Sequence, residues 1–85
     1  MTTEWREFEY CFDSVDFGIA VREWRELRAM TQKEVAAVIG HTSGNSINRI
    51  EAGDYEQSLS IKDLIALCNW MDISPAMFFT MQGSA

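Results

Sequence analysis

The chain has 85 residues, 13 acidic against 7 basic side chains, a net charge of −6 and an isoelectric point near 4.5. That length excludes a two-domain enzyme, since single domains typically run to about 100–150 residues, and 47% hydrophobic with 24% charged residues excludes a disordered chain. On total charge alone nucleic acid is a poor partner, because phosphate binding ordinarily asks for a basic surface.

The charge is unevenly placed. Glu4, Glu7, Glu9, Asp13 and Asp16 against Arg6 give residues 1–17 a net −4, which leaves −2 for residues 18–85. Residues 1–15 therefore read as an acidic arm, residues 16–80 as a single domain and residues 81–85 as a frayed tail. Within the arm, Phe8, Tyr10 and Phe12 alternate with Glu9, Cys11 and Asp13, as in a strand with one apolar face. Trp5, Phe8, Phe12 and Val15 also fit a helix. The β propensity of the aromatics tips the reading toward a strand or extended arm. The acidic Met1-Thr2-Thr3-Glu4 lacks the basic start of a signal peptide, and no run of about 18 apolar residues exists, so a cytoplasmic protein without a membrane span is expected. Cys11 and Cys68 form no ligand-spaced cluster and read as free thiols.

From Asp16 to Ala29, the residues Phe17, Ala20, Val21, Trp24 and Leu27 recur on one helical stripe, with Ser14 or Asp13 as cap. Thr31-Gln32-Lys33-Glu34 is a capping box, so a second helix is expected to start at Thr31, bury Val35, Val38 and Ile39, and stop at Gly40. The polar turn His41-Thr42-Ser43-Gly44 leads to a third segment, Asn45 to Ala52, that buries only Ile47 and Ile50 and ends at Gly53. A helix with so little apolar surface is poorly explained by stability alone. Ser60 caps a fourth helix that buries Ile61, Leu64, Ile65, Cys68 and Met71. Ser74-Pro75 starts a final short helix carrying Met77, Phe78 and Phe79, extending to Met81.

Helix, glycine, short turn, second helix is the geometry that lays a polar helix in the DNA major groove. Residues 21–53, from Val21-Arg-Glu-Trp-Arg-Glu-Leu-Arg-Ala-Met-Thr-Gln-Lys-Glu through Ile47-Asn-Arg-Ile-Glu-Ala-Gly53, resemble the Cro/cI-type (XRE-family) helix-turn-helix domain. The stretch from Ile61 to Phe79 resembles that family's fourth and fifth helices. The resemblance implies an all-α, compact five-helix, lambda-repressor-like fold with a short N-terminal arm. It also implies that Gln32 contacts a phosphate and steadies the recognition helix, and that Arg25 and Glu51 form a largely buried ion pair.

Asn45, Ser46, Asn48 and Arg49 are the expected base-contacting residues. Asparagine suits adenine and arginine suits guanine in the major groove. Lys33, Thr42 and Ser43 join Gln32 as expected phosphate contacts. The sequence departs from the family in a turn one residue longer than usual and in Gly44, which falls where many relatives place the first base-contacting side chain. Asp54 and Glu56 stand in a loop that is often basic in relatives and would repel phosphates.

His41 has no nucleophile or ligand set beside it, and no phosphate loop, dinucleotide fingerprint or carboxylate pair occurs, so no enzyme, metal or cofactor is expected. The expected function is a sequence-specific transcriptional regulator, a repressor binding double-stranded DNA as a homodimer. Two surfaces compete for the dimer contact: the arm at Phe8, Tyr10 and Phe12, and the C-terminal group Trp70, Met77, Phe78 and Met81. The alternative of another class is an acidic protein-interaction module, of antitoxin or anti-repressor type, gripping a protein partner through the same fold.

Overall fold

Helix starts are set by short polar side chains that accept an early backbone N–H. In the computed structural model, which describes residues 8–54 and 59–83 and only the backbone of 8–11 and 80–83, Asp13 caps α1 (Ser14–Leu27) by accepting from Asp16 N at 2.9 Å. Thr31 caps α2 (Gln32–Val38) through the reciprocal box, with Thr31 Oγ1 accepting from Glu34 N and Glu34 Oε1 accepting from Thr31 N at 3.1 and 2.8 Å. Ser60 caps α4 (Ile61–Met71) by accepting from Asp63 N at 3.1 Å, without the return bond. Between them α3 (Asn45–Glu51) begins at Gly44 without a side-chain cap on its later amides. Ser43 Oγ accepts the Asn45 N–H instead.

All four helices close in the same way. The residue after the last turn takes a left-handed conformation, and its N–H and the next one return to the helix's last carbonyls. At the end of α2, Gly40 (φ 85°) donates to Ala37 O and His41 to Ala36 O. This is the turn that reverses the chain toward α3.

The core joins Phe17 and Val21 of α1, Val35 and Ala36 of α2 with Ile39, Ile47 and Ile50 of α3, and Leu64, Leu67, Cys68 and Met71 of α4. Burial pushes the Cys68 thiol above its ordinary value, so it sits as a small apolar side chain. Four expected core residues are exposed instead: Leu27, Val38, Ile61 and Ile65. On α4 the inward face is 64, 67, 68 and 71, a three-and-four spacing that leaves 61 and 65 on its flanks. Leu27 is the last residue of α1 and Val38 the last of α2, and both stand exposed.

Gly18 stands in the middle of α1, where glycine costs about 1 kcal/mol relative to alanine. A Cβ there would collide with the Ile50 carbonyl oxygen and lie 3.1 Å from that of Glu51. Its missing side chain lets α1 and α3 pack backbone to backbone.

The C-terminal end differs from the five-helix expectation, while the arm is the strand its alternating pattern favours. The fifth helix is a single 3-10 turn, Pro75–Phe78, and the chain then extends into a strand, β2 (Phe79–Gly83). The arm forms β1 (Phe8–Phe12), antiparallel to β2 with Tyr10 opposite Met81 and Phe12 opposite Phe79. Residues 81–83, expected as tail, therefore belong to a strand. A 3-10 turn does not propagate far, and the chain continues into Phe79-Thr80, residue types that favour strands. Phe12, Phe17, Phe78 and Phe79 bind the strand pair to α1: Phe17 meets Phe78 edge-on at 5.0 Å and Phe12 meets Phe79 at 4.9 Å. Among the described residues no helix is long and apolar enough to cross a membrane.

Candidate nucleic-acid interface

The polar face of α3 is set by what lies under it. Ile47 and Ile50 are buried at 0% and 1% exposure. With that side fixed, Asn45, Asn48 and Arg49, at i, i+3 and i+4, stand exposed together on the opposite side. Ser46 does not join them. Its Oγ is buried and has no hydrogen-bond partner among the described residues, so the expectation of an outward Ser46 is corrected. The helical rotation that buries Ile47 and Ile50 turns position 46 toward the protein.

Two devices hold α3 in place. Arg25 of α1 reaches Glu51 with both ends of its guanidinium, Nε to Oε2 at 2.6 Å and Nη2 to Oε1 at 3.0 Å. Arg25 Nη1 also donates to the Met30 carbonyl at 3.1 Å. The hydrogen bonds to Glu51 raise the Arg25 pKa further, so this cation stays charged throughout the pH range of a folded protein. The pair is largely out of water, and removing one partner would strand the other's charge. The second device is Gln32, whose Nε2 donates to Glu51 Oε1 at 3.1 Å and to Asn48 Oδ1 at 3.3 Å. Both of its amide hydrogens are thus engaged within the protein, which makes Gln32 a brace for Asn48. Fixing Asn48 Oδ1 inward leaves the Asn48 amide hydrogens for an outside acceptor.

Gly44 gains a physical explanation. Its φ of −75° is ordinary, but a Cβ would lie 3.0 Å from Lys33 N and 3.2 Å from Gln32 Cβ. The start of α3 abuts the start of α2 too closely for a side chain there. Around this junction Lys33, Thr42 and Ser43 are exposed, the edge on which phosphate contacts were expected.

Two further arginines and the histidine are engaged elsewhere among the described residues. Arg22 pairs with Glu26 across one helical turn at 3.2 Å on the surface. Arg28 lies over two indole rings, 4.5 Å from the Trp24 centroid and 5.6 Å from that of Trp70. His41 is not solitary: its Nε2 lies 3.0 Å from Oδ2 of the buried Asp63, which ties the turn before α3 to α4. Asp54 is exposed, and Glu56 lies outside the described residues.

Sequence reasoning missed the structural parts of this interface, Gly18, Asp63 and the Arg28–tryptophan stack. A glycine inside a strongly patterned helix was the available signal for the first. Of the expected dimer residues, Met77 is 73% exposed and Trp70 and Phe12 are half-buried, whereas Phe78 is only 6% exposed and packs on Phe17. Phe78 is therefore a core residue. The side chains of Phe8, Tyr10 and Met81 lie outside the described residues. Among the described residues no group of His, Cys, Asp and Glu could hold a metal ion.

The helix-turn-helix family model matches residues 21–78, from the middle of α1 to the end of the 3-10 turn. Among solved structures the chain is similar to the restriction-modification controller protein C.AhdI from Aeromonas hydrophila. The two are 27% identical with a TM-score of 0.60, over 79% of this chain and 97% of that one. No curated protein matches the chain.

Proposed function

From the chain's membership of the XRE-type helix-turn-helix family, whose members are DNA-binding transcriptional regulators and not enzymes, we propose that it is a cytoplasmic, sequence-specific repressor that binds a pseudo-palindromic operator as a homodimer. The observation that carries this reading is the third helix: two buried isoleucines on one side, exposed Asn45, Asn48 and Arg49 on the other, and the Arg25–Glu51–Gln32 network clamping its end. In this assignment Asn48, oriented by Gln32, and Arg49 read base edges, with Asn45 on the same face. Lys33, Thr42 and Ser43 meet phosphates and fix register. The two third helices of the dimer sit about 34–36 Å apart, one turn of duplex.

Charge shapes the binding. The domain outside the arm is nearly balanced, so selectivity rests on polar base contacts while Asp54 weakens non-specific attachment. Selection of duplexes from a random pool, followed by titration from about 50 to 200 mM salt, tests the assignment. A recurring two-fold motif with a log–log salt slope of several units is expected. Absence of duplex binding near about 50 mM salt would leave the −6 charge as the guide and turn the reading to a basic protein partner.

A further inference from the structure

We propose that a second copy of this chain docks along the outer edge of β2, pairing antiparallel about Met81 to make a four-stranded sheet in the order β1-β2-β2-β1. The inference rests on the homodimer reading and names its surface.

The hydrogen-bond phase of the strand pair carries the argument. Asp13 N donates to Phe78 O at 2.7 Å, so positions 13 and 78 are a hydrogen-bonded pair one step beyond the ladder's end. Bonding and non-bonding pairs alternate along an antiparallel ladder. The pairs 11–80 and 9–82 therefore exchange bonds, while 12–79, 10–81 and 8–83 do not. The backbone groups of Met81 and Gly83 consequently face away from β1, and β2 pairs with β1 alone among the described strands. The Phe79 N–H is taken by Ala76 O, which leaves its carbonyl on that edge. A two-fold axis at Met81 satisfies this set without remainder at its centre. Met81 N–H and C=O exchange with their counterparts, and each Gly83 N–H donates to the other copy's Phe79 carbonyl.

Charge decides which edge is used. Strand β1 contains Glu9, is followed directly by Asp13 and belongs to a segment of net charge −4. Two such segments brought together repel, and acidic residues on an edge strand guard it against pairing. From Ile73 to Gly83 there is no charged residue at all. Apolar surface adjoins the same edge. Met77 is 73% and Phe79 38% exposed, and Phe79 continues into a groove of about 460 Å³ lined by Phe12, Leu59, Ile61 and Leu64. A lone two-stranded pair is a marginal structure, and doubling it supplies the strands it lacks.

Sedimentation equilibrium of the full chain, Met81→Pro and Tyr10→Pro tests the edge. Proline at 81 deletes an outward N–H and leaves the β1 ladder intact, and proline at 10 makes the same deletion on the other edge. Met81→Pro is expected to weaken dimerisation roughly 10- to 100-fold, from the loss of two symmetric bonds, with Tyr10→Pro unchanged. A Met81→Pro chain that dimerises like the parent, or Tyr10→Pro as the weakened variant, overturns the β2 edge. A parent that stays monomeric with and without its selected operator refutes the homodimer reading itself. Amide exchange of the unmodified chain at low and high concentration supplies a readout independent of variant folding. Protection of the Met81 and Gly83 amides is expected to rise with concentration, and a rise at Tyr10 instead contradicts the proposal.

Discussion

The α1–α3 contact and the β1–β2 pair attach their elements by opposite means. At α1–α3 the backbones touch through Gly18, two isoleucines are sealed beneath, and a bidentate ion pair with a glutamine brace closes the end. Side-chain fit there leaves α3 one orientation, as an element that reads a surface must have. At β1–β2 the ladder is made by backbone groups that any sequence possesses, anchored to the domain by phenylalanines at one end. Such an attachment keeps an open edge and tolerates change, which suits an element that meets a second molecule.

If that contrast holds, substitutions in the first region destabilise the whole domain. The largest effect is expected from Arg25→Ala, which leaves the carboxylate of Glu51, only 6% exposed, without its cation. A loss of about 3–5 kcal/mol in denaturant unfolding is expected, with much of it recovered by replacing both partners with apolar residues. A loss below about 1 kcal/mol would mean that the pair behaves as a solvated surface contact and does not lock α3.

Gly18→Ala is the next test. Alanine is the better helix former by about 1 kcal/mol, yet its Cβ would press on the backbone of Ile50 and Glu51. A net destabilisation of about 1–3 kcal/mol is expected from this overpacking in thermal unfolding. A stabilised alanine variant would show α1 and α3 standing farther apart than the contact requires.

The two regions also differ in how far sequence alone discloses them. The capping box at Thr31, the stop at Gly40 and the burial of Ile47 and Ile50 are legible because each depends on residues within one or two turns. The Arg25–Glu51 pair is legible only through family resemblance, since nothing local marks two residues 26 positions apart as partners. Gly44 departs visibly from the family pattern, but its cause, the closeness of Lys33, lies on another helix. Ser46 looked outward because its residue type is polar, and only the rotation of α3 turns its hydroxyl inside. Strand β2 was hidden because Met77, Phe78 and Met81 satisfy a helical spacing, while the strand that competes for residues 79–83 sits at the other end of the chain. Pattern reading assigns a segment by its own period and cannot see a distant edge.

The most direct test of the central claim, that the exposed face of α3 reads DNA sequence, compares operators selected by the parent chain and by Arg49→Ala. Arg49 stands on that face beside Asn45 and Asn48, away from the buried isoleucines. The variant is expected to lose preference at one position in each half-site and to bind the parent's operator about 1–3 kcal/mol more weakly. Recovery of the same motif at the same affinity would contradict the assignment of α3 as the reading helix.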